Sequence, residues 1–257
     1  METLTFNGVL SSDYGIYVIG NNDATVPEYD YESVDIPGVT RAFHQSNKRF
    51  RNKEVVYHCI CKQEAAEKVP LFCGAIMQYD NIYKRLTDTI HPEYYKIGTF
   101  VGGTQPKFYG SNDVATFDLI FDCDPRKYLL SGETFIDLTP ETRYVLTNAR
   151  RGLYYNPLFY VSGISQIRVY RQQVAGGSLS YYTLAVFEDD APALYFDTET
   201  KYAYTSSSNA DKYVVNMDFK LPQIRYPGVD YEVSLYTITI SGASNPFAKV
   251  ALREYML

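Results

Sequence analysis

The stretch Val114-Ala115-Thr116-Phe117-Asp118-Leu119-Ile120-Phe121-Asp122-Cys123 decides the fold class of this 257-residue chain. Every second residue from Ala115 to Cys123 is apolar, and polar residues stand between most of them. A period of two is typical of a β-strand that buries one of its faces. The ten residues therefore predict one long, half-buried strand.

The same period recurs on both sides of this strand. Tyr14–Ile19 and Glu54–Cys61 carry apolar or aromatic residues on both faces, which indicates strands that are covered on two sides. Further short strands follow between Ile164 and Ile240, separated by turn-forming residues at the spacing of a β-sandwich. We expect a mainly β protein.

Only one stretch has helical spacing. The stretch Pro70–Tyr79 has one apolar stripe, made of Leu71, Phe72, Ala75, Ile76 and Tyr79, and Pro70 suits the first turn of a helix. A single helix of about ten residues among roughly fifteen strands disfavours a parallel α/β sheet, which needs helices between its strands.

The length of the chain favours two domains, because one domain usually has ~100–200 residues. A turn signal at Cys123–Arg126 and a polar break at Leu130–Glu133 place the boundary near Ser131. We expect an N-terminal domain of residues 1–131 and a C-terminal β-sandwich of residues 132–257. A single large β-barrel is the alternative.

Composition narrows the classes of function. Hydrophobic residues make up 46% of the chain and charged residues 21%, which is ordinary for a folded protein. The 26 tyrosines and 14 phenylalanines indicate half-buried strands and contact surfaces. A net charge of −6 disfavours a nucleic-acid partner. Met1–Phe6 lacks the features of a secretory signal, and no run of ~18 apolar residues indicates a membrane span.

The sequence contains no recognisable catalytic or metal-binding motif. None of the three histidines lies in a catalytic motif, and Gly163–Ile167 lacks the final glycine of a nucleophile elbow. Cys59 and Cys61 share a strand face, but His58 points the opposite way, so we expect core thiols and no metal site. Neither Glu188–Asp190 nor Asp197–Glu199 matches a calcium loop. We expect no catalytic residue, no cofactor and no enzyme.

One charged feature stands out, namely the four cations Lys48, Arg49, Arg51 and Lys53 in an otherwise acidic half of the chain. On an extended strand the last three of these residues share a face. They are either the solvated tip of a hairpin or a patch between subunits that meets acidic surface such as Asp30–Glu32 on a neighbour.

A series of short blocks, taken in order, resembles the distal tail (Dit) protein family of long non-contractile-tailed phages. Val34–Gly38 is similar to the step before the family's first long hairpin, Arg49–Cys61 resembles that hairpin, and Ala193–Glu199 is similar to a strand and turn of its C-terminal domain. The other blocks are Phe6–Gly8, Ser11–Ile16, Leu71–Tyr79, Leu86–Lys96, Phe117–Pro125, Asn156–Val169 and Leu221–Gly228.

The resemblance implies a structural virion protein, a baseplate hub at the tail tip that is assembled in the cytoplasm of the bacterial host. By the same resemblance we expect its N-terminal domains to form a homohexameric ring between the tail tube protein and the tail-tip protein. We expect its C-terminal domains to be galectin-like β-sandwiches that project outward and carry receptor-binding or side-fibre proteins. It implies neither a nucleic-acid nor a membrane partner.

Two other classes of function stay open. A galectin-like sandwich can act as a carbohydrate-binding module for host cell-wall glycans, in which case Tyr181, Tyr182, Tyr202 and Tyr204 are the candidate platform. A cell-wall hydrolase is the third alternative, but the sequence shows no paired carboxylates in a recognisable setting and no zinc motif.

Overall fold

The computed structural model describes residues 1–24, 26–77, 82–138, 144–146, 153–173, 179–188, 191–217, 234–241 and 247–256. Within these residues the expected mainly β fold is confirmed, and helix α1 (Ala65–Ile76) is the one α-helix. No helix in this part of the chain is long and apolar enough to cross a membrane. The chain divides into two compact units, Met1–Lys127 and Tyr128–Met256.

The first unit is built from antiparallel strands. They are β1 (Leu4–Phe6), β2 (Val9–Leu10), β3 (Ile16–Asn21), β4 (Tyr29–Val34), β5 (Phe43–Phe50), β6 (Lys53–Cys61), β7 (Lys84–Asp88), β8 (Tyr94–Phe100), β9 (Lys107–Tyr109) and β10 (Val114–Cys123). Strand β11 (Lys127–Leu129) contains the division between the units.

The main sheet of the first unit runs in the order β2-β1-β7-β8-β10-β6-β3, and β9 also pairs with β10. The sheet curls so that β3 meets the residue just before β1. The Val18 N–H of β3 donates to the Glu2 carbonyl at 2.8 Å. This closure encloses one hydrophobic core.

Strand β10 lies at the centre of this core, as the opening stretch predicts. Its alternate residues from Ala115 to Cys123 are all buried. The Phe121 ring lies 5.0 Å from Phe6, 5.5 Å from Phe100 and 5.9 Å from Tyr57, measured between ring centroids. The period of two therefore marks the buried face correctly.

The sequence predicts that both faces of β6 are covered, but the face that carries its even-numbered residues is only partly buried. Val56 and Ile60 are half-buried on it, whereas Glu54 and His58 are exposed. The buried residues of β6 all lie on the opposite face, toward the core. Within the unit, β6 is thus fully covered on one side only.

The helix is confirmed, but its predicted start at Pro70 is wrong. Helix α1 begins at Ala65, because the turn before β10 satisfies its first donors: the Ala65 N–H donates to the Asp113 carbonyl at 3.0 Å and the Glu64 N–H to the Asp113 carboxylate at 2.7 Å. Leu71, which we place on the apolar stripe, is 55% exposed, and Val69 is buried instead.

The long hairpin of the first unit also differs from the prediction. Strands β4 and β5 pair with each other in a two-stranded sheet, and β6 belongs to the main sheet. Arg49–Cys61 is therefore not the hairpin itself, and its basic residues do not form a hairpin tip. We call residues 26–50 the arm; its turn lies at Ile36–Val39.

The second unit contains two five-stranded sheets. One runs β12-β22-β15-β18-β19, the other runs β13-β21-β16-β17-β20, and β14 pairs with β23. The strands are β12 (Phe135–Leu138), β13 (Tyr144–Leu146), β14 (Leu153–Tyr155), β15 (Leu158–Ser162), β16 (Gln166–Gln173), β17 (Leu179–Phe187), β18 (Leu194–Asp197), β19 (Tyr202–Tyr204), β20 (Val214–Met217), β21 (Ser234–Ser241), β22 (Phe247–Ala251) and β23 (Glu254–Met256).

The two five-stranded sheets share a core, as expected of a β-sandwich. Phe187 of β17 meets Phe196 of β18 edge to face at 6.0 Å, and Phe159 of β15 stacks on Phe196 at 6.2 Å. Leu221–Gly228, one of the blocks that resemble the phage family, lies outside the described residues.

Candidate functional site

The basic stretch lies at the base of the arm. Arg49 Nε lies 2.6 Å from Asp30 Oδ2, and Arg51 Nε lies 3.3 Å from Asp30 Oδ1. The hydrogen bond from Arg49 is the main cause that lowers the pKa of the Asp30 carboxyl below its ordinary value. The acidic residue that the subunit-patch interpretation places on a neighbour is thus present in the same chain. The Lys48 side chain lies outside the described part.

Lys53 does not belong to this exposed surface. It is only 7% exposed, and its ammonium lies 2.9 Å from Asp23 Oδ1 and 3.0 Å from the Asp23 carbonyl oxygen. Sequence spacing places Lys53 on one face with Arg49 and Arg51, but β5 ends at Phe50 and a new strand begins at Lys53. The surface patch is therefore reduced to the two arginines.

Lys53 is part of a buried charge cluster that the sequence analysis missed. Lys96 Nζ lies 3.2 Å from Asp23 Oδ2 and 3.0 Å from Asp88 Oδ2, and Lys127 Nζ lies 3.1 Å from Asp23 Oδ2. We define the charge cluster as Asp23, Lys53, Tyr57, Asp88, Tyr94, Lys96 and Lys127. The residues come from separate strands and loops, so no local motif identifies them.

The ionisation of the cluster follows from its burial. Burial by itself would raise the pKa of Asp23, but Lys96 and the hydrogen bonds from Lys53 and Tyr94 lower that pKa to about 2. Burial lowers the pKa of Lys127, an effect that Asp23 opposes. Asp23 therefore stays ionised among the lysines, and the cluster serves to join the ends of several strands.

The cysteines and histidines form no site. Burial raises the pKa of Cys123 to about 12 and raises that of Cys59 as well, so both are core thiols. His58 projects to the exposed face, where its Nδ1 lies 2.6 Å from Asp118 Oδ1. Among the residues that the structure describes, no group of three histidine, cysteine or acidic side chains could hold a metal ion.

The acidic turn after β18 is occupied by the chain itself. The Asp197 Oδ1 accepts the Glu199 N–H at 2.9 Å, and its Oδ2 lies 2.9 Å from Arg253 Nη1. Asp189 and Asp190, the other acidic pair considered for calcium, lie outside the described residues. Asp197 therefore acts as a turn former.

The four candidate tyrosines of the glycan platform fall in two different sheets. Tyr202 and Tyr204 lie on β19, whereas Tyr181 and Tyr182 lie on β17, with side chains outside the described part. Tyr202 is 57% exposed. The structure thus brings together one pair of the four and places the other pair in the second sheet.

Two further tyrosines, from β15 and β18, form a row with Tyr204 of β19. Tyr204 stacks on Tyr195 of β18 at 5.4 Å with an interplanar angle of 18°, and Tyr195 contacts Tyr160 of β15 at 5.0 Å. We call Tyr160, Tyr195 and Tyr204 the tyrosine row. The period of two within β15 and β18 could have indicated them, but only strand pairing aligns them.

An apolar groove lies between helix α1 and the loop that follows β8. Val69, Pro70, Cys73 and Met77 line it from the helix and Phe100 from the strand, and its volume is about 280 Å³. We call it the helix groove. Met77 is 43% exposed at its edge.

The described part of the chain is a two-unit antiparallel β protein with an exposed arm. No family model matches the sequence, and no curated protein matches it either. The fold, however, matches over 100% of both chains that of the Dit protein (gp 19.1) of phage SPP1, with a TM-score of 0.64 and 15% identity.

The SPP1 protein is presented as a paradigm of the hub adsorption apparatus in phages that infect Gram-positive bacteria. The chain is also similar to chains of the phage P2 baseplate in its activated conformations with Ca and Sr, at TM-scores of 0.46 and 0.43, with 10% identity and 97% coverage. The match to the SPP1 protein, with its TM-score of 0.64, shows that this chain has a Dit-like fold.

Proposed function

We propose that this protein is a structural hub component of a phage tail tip, a member of the distal tail protein family. The observation that carries the proposal is the match to the SPP1 Dit fold over the whole of both chains. The order of short sequence blocks from Phe6 to Gly228 supports it independently, because it resembles the same family.

In this proposal residues 1–131 form a homohexameric ring that joins the tail tube protein to the tail-tip protein. Residues 132–257 form a galectin-like β-sandwich that carries receptor-binding or fibre proteins. The exposed arm supports a ring, because six large hydrophobic residues between Tyr29 and Phe43 are exposed there. Exposed apolar surface of this extent is typical of a contact surface.

Native mass measurement and imaging test the ring. At high protein concentration we expect a particle of six times the chain mass of 29.4 kDa and a ring with a central opening in negative stain. Immunogold labelling of virions should place the protein at the tail tip. A protein that stays monomeric both alone and with its tail tube partner would contradict the hexamer.

The proposed role is not enzymatic. The SPP1 protein, which is similar in fold, is a hub protein, and among the described residues no group of histidine, cysteine or acidic side chains could hold a catalytic metal ion. Zymography on host cell walls provides the test, with no clearing expected. A cleared band at the mass of this chain would support the hydrolase instead.

A carbohydrate-binding module is the second candidate, and the tyrosine row with the exposed Tyr202 is the observation that favours it. The near-parallel Tyr195 and Tyr204 rings face each other, so these faces are not free to stack on a sugar. On a cell-wall glycan array we therefore expect no binding by the full chain. Binding that Tyr202→Ala abolishes would establish the module.

A further inference from the structure

The arm ends in a well-defined turn. The Val39 N–H donates to the Ile36 carbonyl at 3.0 Å, and Gly38 has a φ of 84°. A type II turn requires this positive φ at its third residue and favours proline at its second, which is Pro37. The end of the arm is thus held by local geometry.

This turn presents apolar side chains to solvent. Ile36 and Val39 are 47% and 55% exposed, and the cross-strand pair Val34 and Phe43 is 45% and 58% exposed. We call these four residues the apolar tip. A two-stranded hairpin is marginally stable in water by itself, and a grouped apolar surface usually marks a contact. The apolar tip is therefore suited to insertion into an apolar site.

The helix groove is such a site. Its lining includes no charged side chain, and Thr104 supplies its one hydroxyl group, so most of its surface is apolar. Its volume of about 280 Å³ is close to the lower end of the ~300–1,000 Å³ range of small-molecule sites. The mainly apolar lining and small volume suit the aliphatic side chains of a protein partner.

We propose that the apolar tip of one copy docks in the helix groove of a second copy of this chain. Both surfaces belong to the first unit, so every copy offers one tip and one groove. A head-to-tail contact of this kind closes into a ring when its rotation fits. The inference rests on the ring proposed above and supplies its subunit contact.

Charge also suits a second copy as the occupant. Asp35 lies exposed within the apolar tip, and Lys107 lies exposed next to Pro106 of the groove. Opposite charges beside the two apolar surfaces favour this pairing and its orientation.

A native thiol allows a direct test, because Cys73 lines the helix groove whereas Cys59, Cys61 and Cys123 are buried in the core. We introduce Val39→Cys in the apolar tip and oxidise the full-length protein with copper phenanthroline. The two thiols then form a disulfide between copies, and non-reducing gels should show linked species up to six chains.

Two control variants test whether the linkage joins the apolar tip to Cys73. Val39→Cys combined with Cys73→Ser should give no linked species. Val26→Cys, at the start of the arm and 80% exposed, should not link to Cys73 either. Linkage that persists without Cys73 would show contact between tips and overturn the inference.

A second variant tests the contact without cysteine chemistry. Phe43→Asp places a charge in the apolar tip, and we expect the protein concentration for half-assembly to rise about tenfold or more. Val26→Asp is the matched control and should assemble like the unmodified protein. Both positions are exposed, so circular dichroism should show unchanged folding.

The outcomes separate this inference from the proposed ring. One outcome is that the unmodified chain forms hexamers, no linkage depends on Cys73, and the Phe43→Asp variant still assembles. This outcome would overturn the arm contact, but it would still support the ring. Cys73-dependent linkage in a protein that forms only dimers or open chains would support the contact and contradict the closed hexamer. A monomer that never links would overturn both.

Discussion

The ammonium of Lys96 lies 3.0 Å from the carboxylate of Asp88, and both side chains are 1% exposed. The Tyr57 hydroxyl donates to the same Asp88 oxygen at 2.5 Å, and Lys96 also lies 3.2 Å from Asp23. A buried ion pair is costly to break, because removing one partner leaves an uncompensated charge in the interior. Lys96 should therefore be essential to the first unit.

Lys96→Met should destabilise the protein by about 3–5 kcal/mol, measured by chemical denaturation of the first unit. The control is Lys249→Met, which removes an exposed pair with Asp137 at 3.7 Å and should change stability by less than ~1 kcal/mol. Equal losses in both variants would contradict a special role of the buried pair. If Lys96→Met does not fold, adding Asp88→Asn should restore folding.

Asp23 should make stability depend on pH in the acid range. Its folded pKa of about 2 lies below the ordinary value of ~3.9, so the unfolded chain binds the proton more readily. The resulting stability, roughly 2 kcal/mol, is present above about pH 4 and is lost as pH falls toward 2.

Urea denaturation between pH 5 and pH 2.5 measures this effect. The comparison is with Asp23→Asn, in which the acid-dependent loss should be smaller by roughly 2 kcal/mol. An identical pH slope in the two proteins would show that other carboxylates cause the loss. If Asp23→Asn does not fold, NMR titration of the Asp23 carboxyl in the unmodified protein gives its pKa directly.

Gly98 on β8 should tolerate no side chain. A Cβ there would lie 2.7 Å from the Asp122 carbonyl oxygen and 2.7 Å from the Cys123 Sγ, and the backbone oxygen cannot move without disturbing β10. Gly98→Ala should cost about 1–3 kcal/mol through overpacking. Gly74→Ala, in helix α1 with open space around the Cβ, should instead stabilise by up to ~1 kcal/mol. Thermal melting of the two variants should shift in opposite directions.

Phe121 should contribute strongly to the stability of the first unit, because its ring contacts three other aromatic rings. Phe121→Ala removes the ring that contacts Phe6, Tyr57 and Phe100, and a loss of about 3–5 kcal/mol is expected from such a cavity. Phe108→Ala serves as the control, since Phe108 is 38% exposed on the short strand β9. Denaturation midpoints that fall equally in both would contradict the central position of β10.

Local patterns predicted the parts of the fold that depend on short-range periodicity. The alternation from Ala115 to Cys123 gave the correct buried face of β10, because a strand turns each successive side chain to the opposite side. Helical spacing over a few residues likewise predicted helix α1, but it did not predict the residue at which the helix begins. Asp113, more than forty residues later in the chain, accepts the first helical N–H groups.

Local sequence patterns also failed to predict which residues of the candidate sites contact each other. Arg49 and Lys53 look alike in the sequence, yet Arg49 is exposed beside Asp30, and Lys53 is buried against Asp23, thirty residues earlier. Tyr204 becomes part of a row only because β18 and β15 align Tyr195 and Tyr160 with it.

The sequence by itself thus determined a mainly β protein with two strand-rich halves, a buried face for β10 and no motif for catalysis. Tertiary structure alone decided which lysine is buried, where the helix begins and which tyrosines meet. The physical reason is that alternation and helical spacing act over a few residues, whereas ion pairs, capping partners and aromatic contacts join residues that only chain folding brings together.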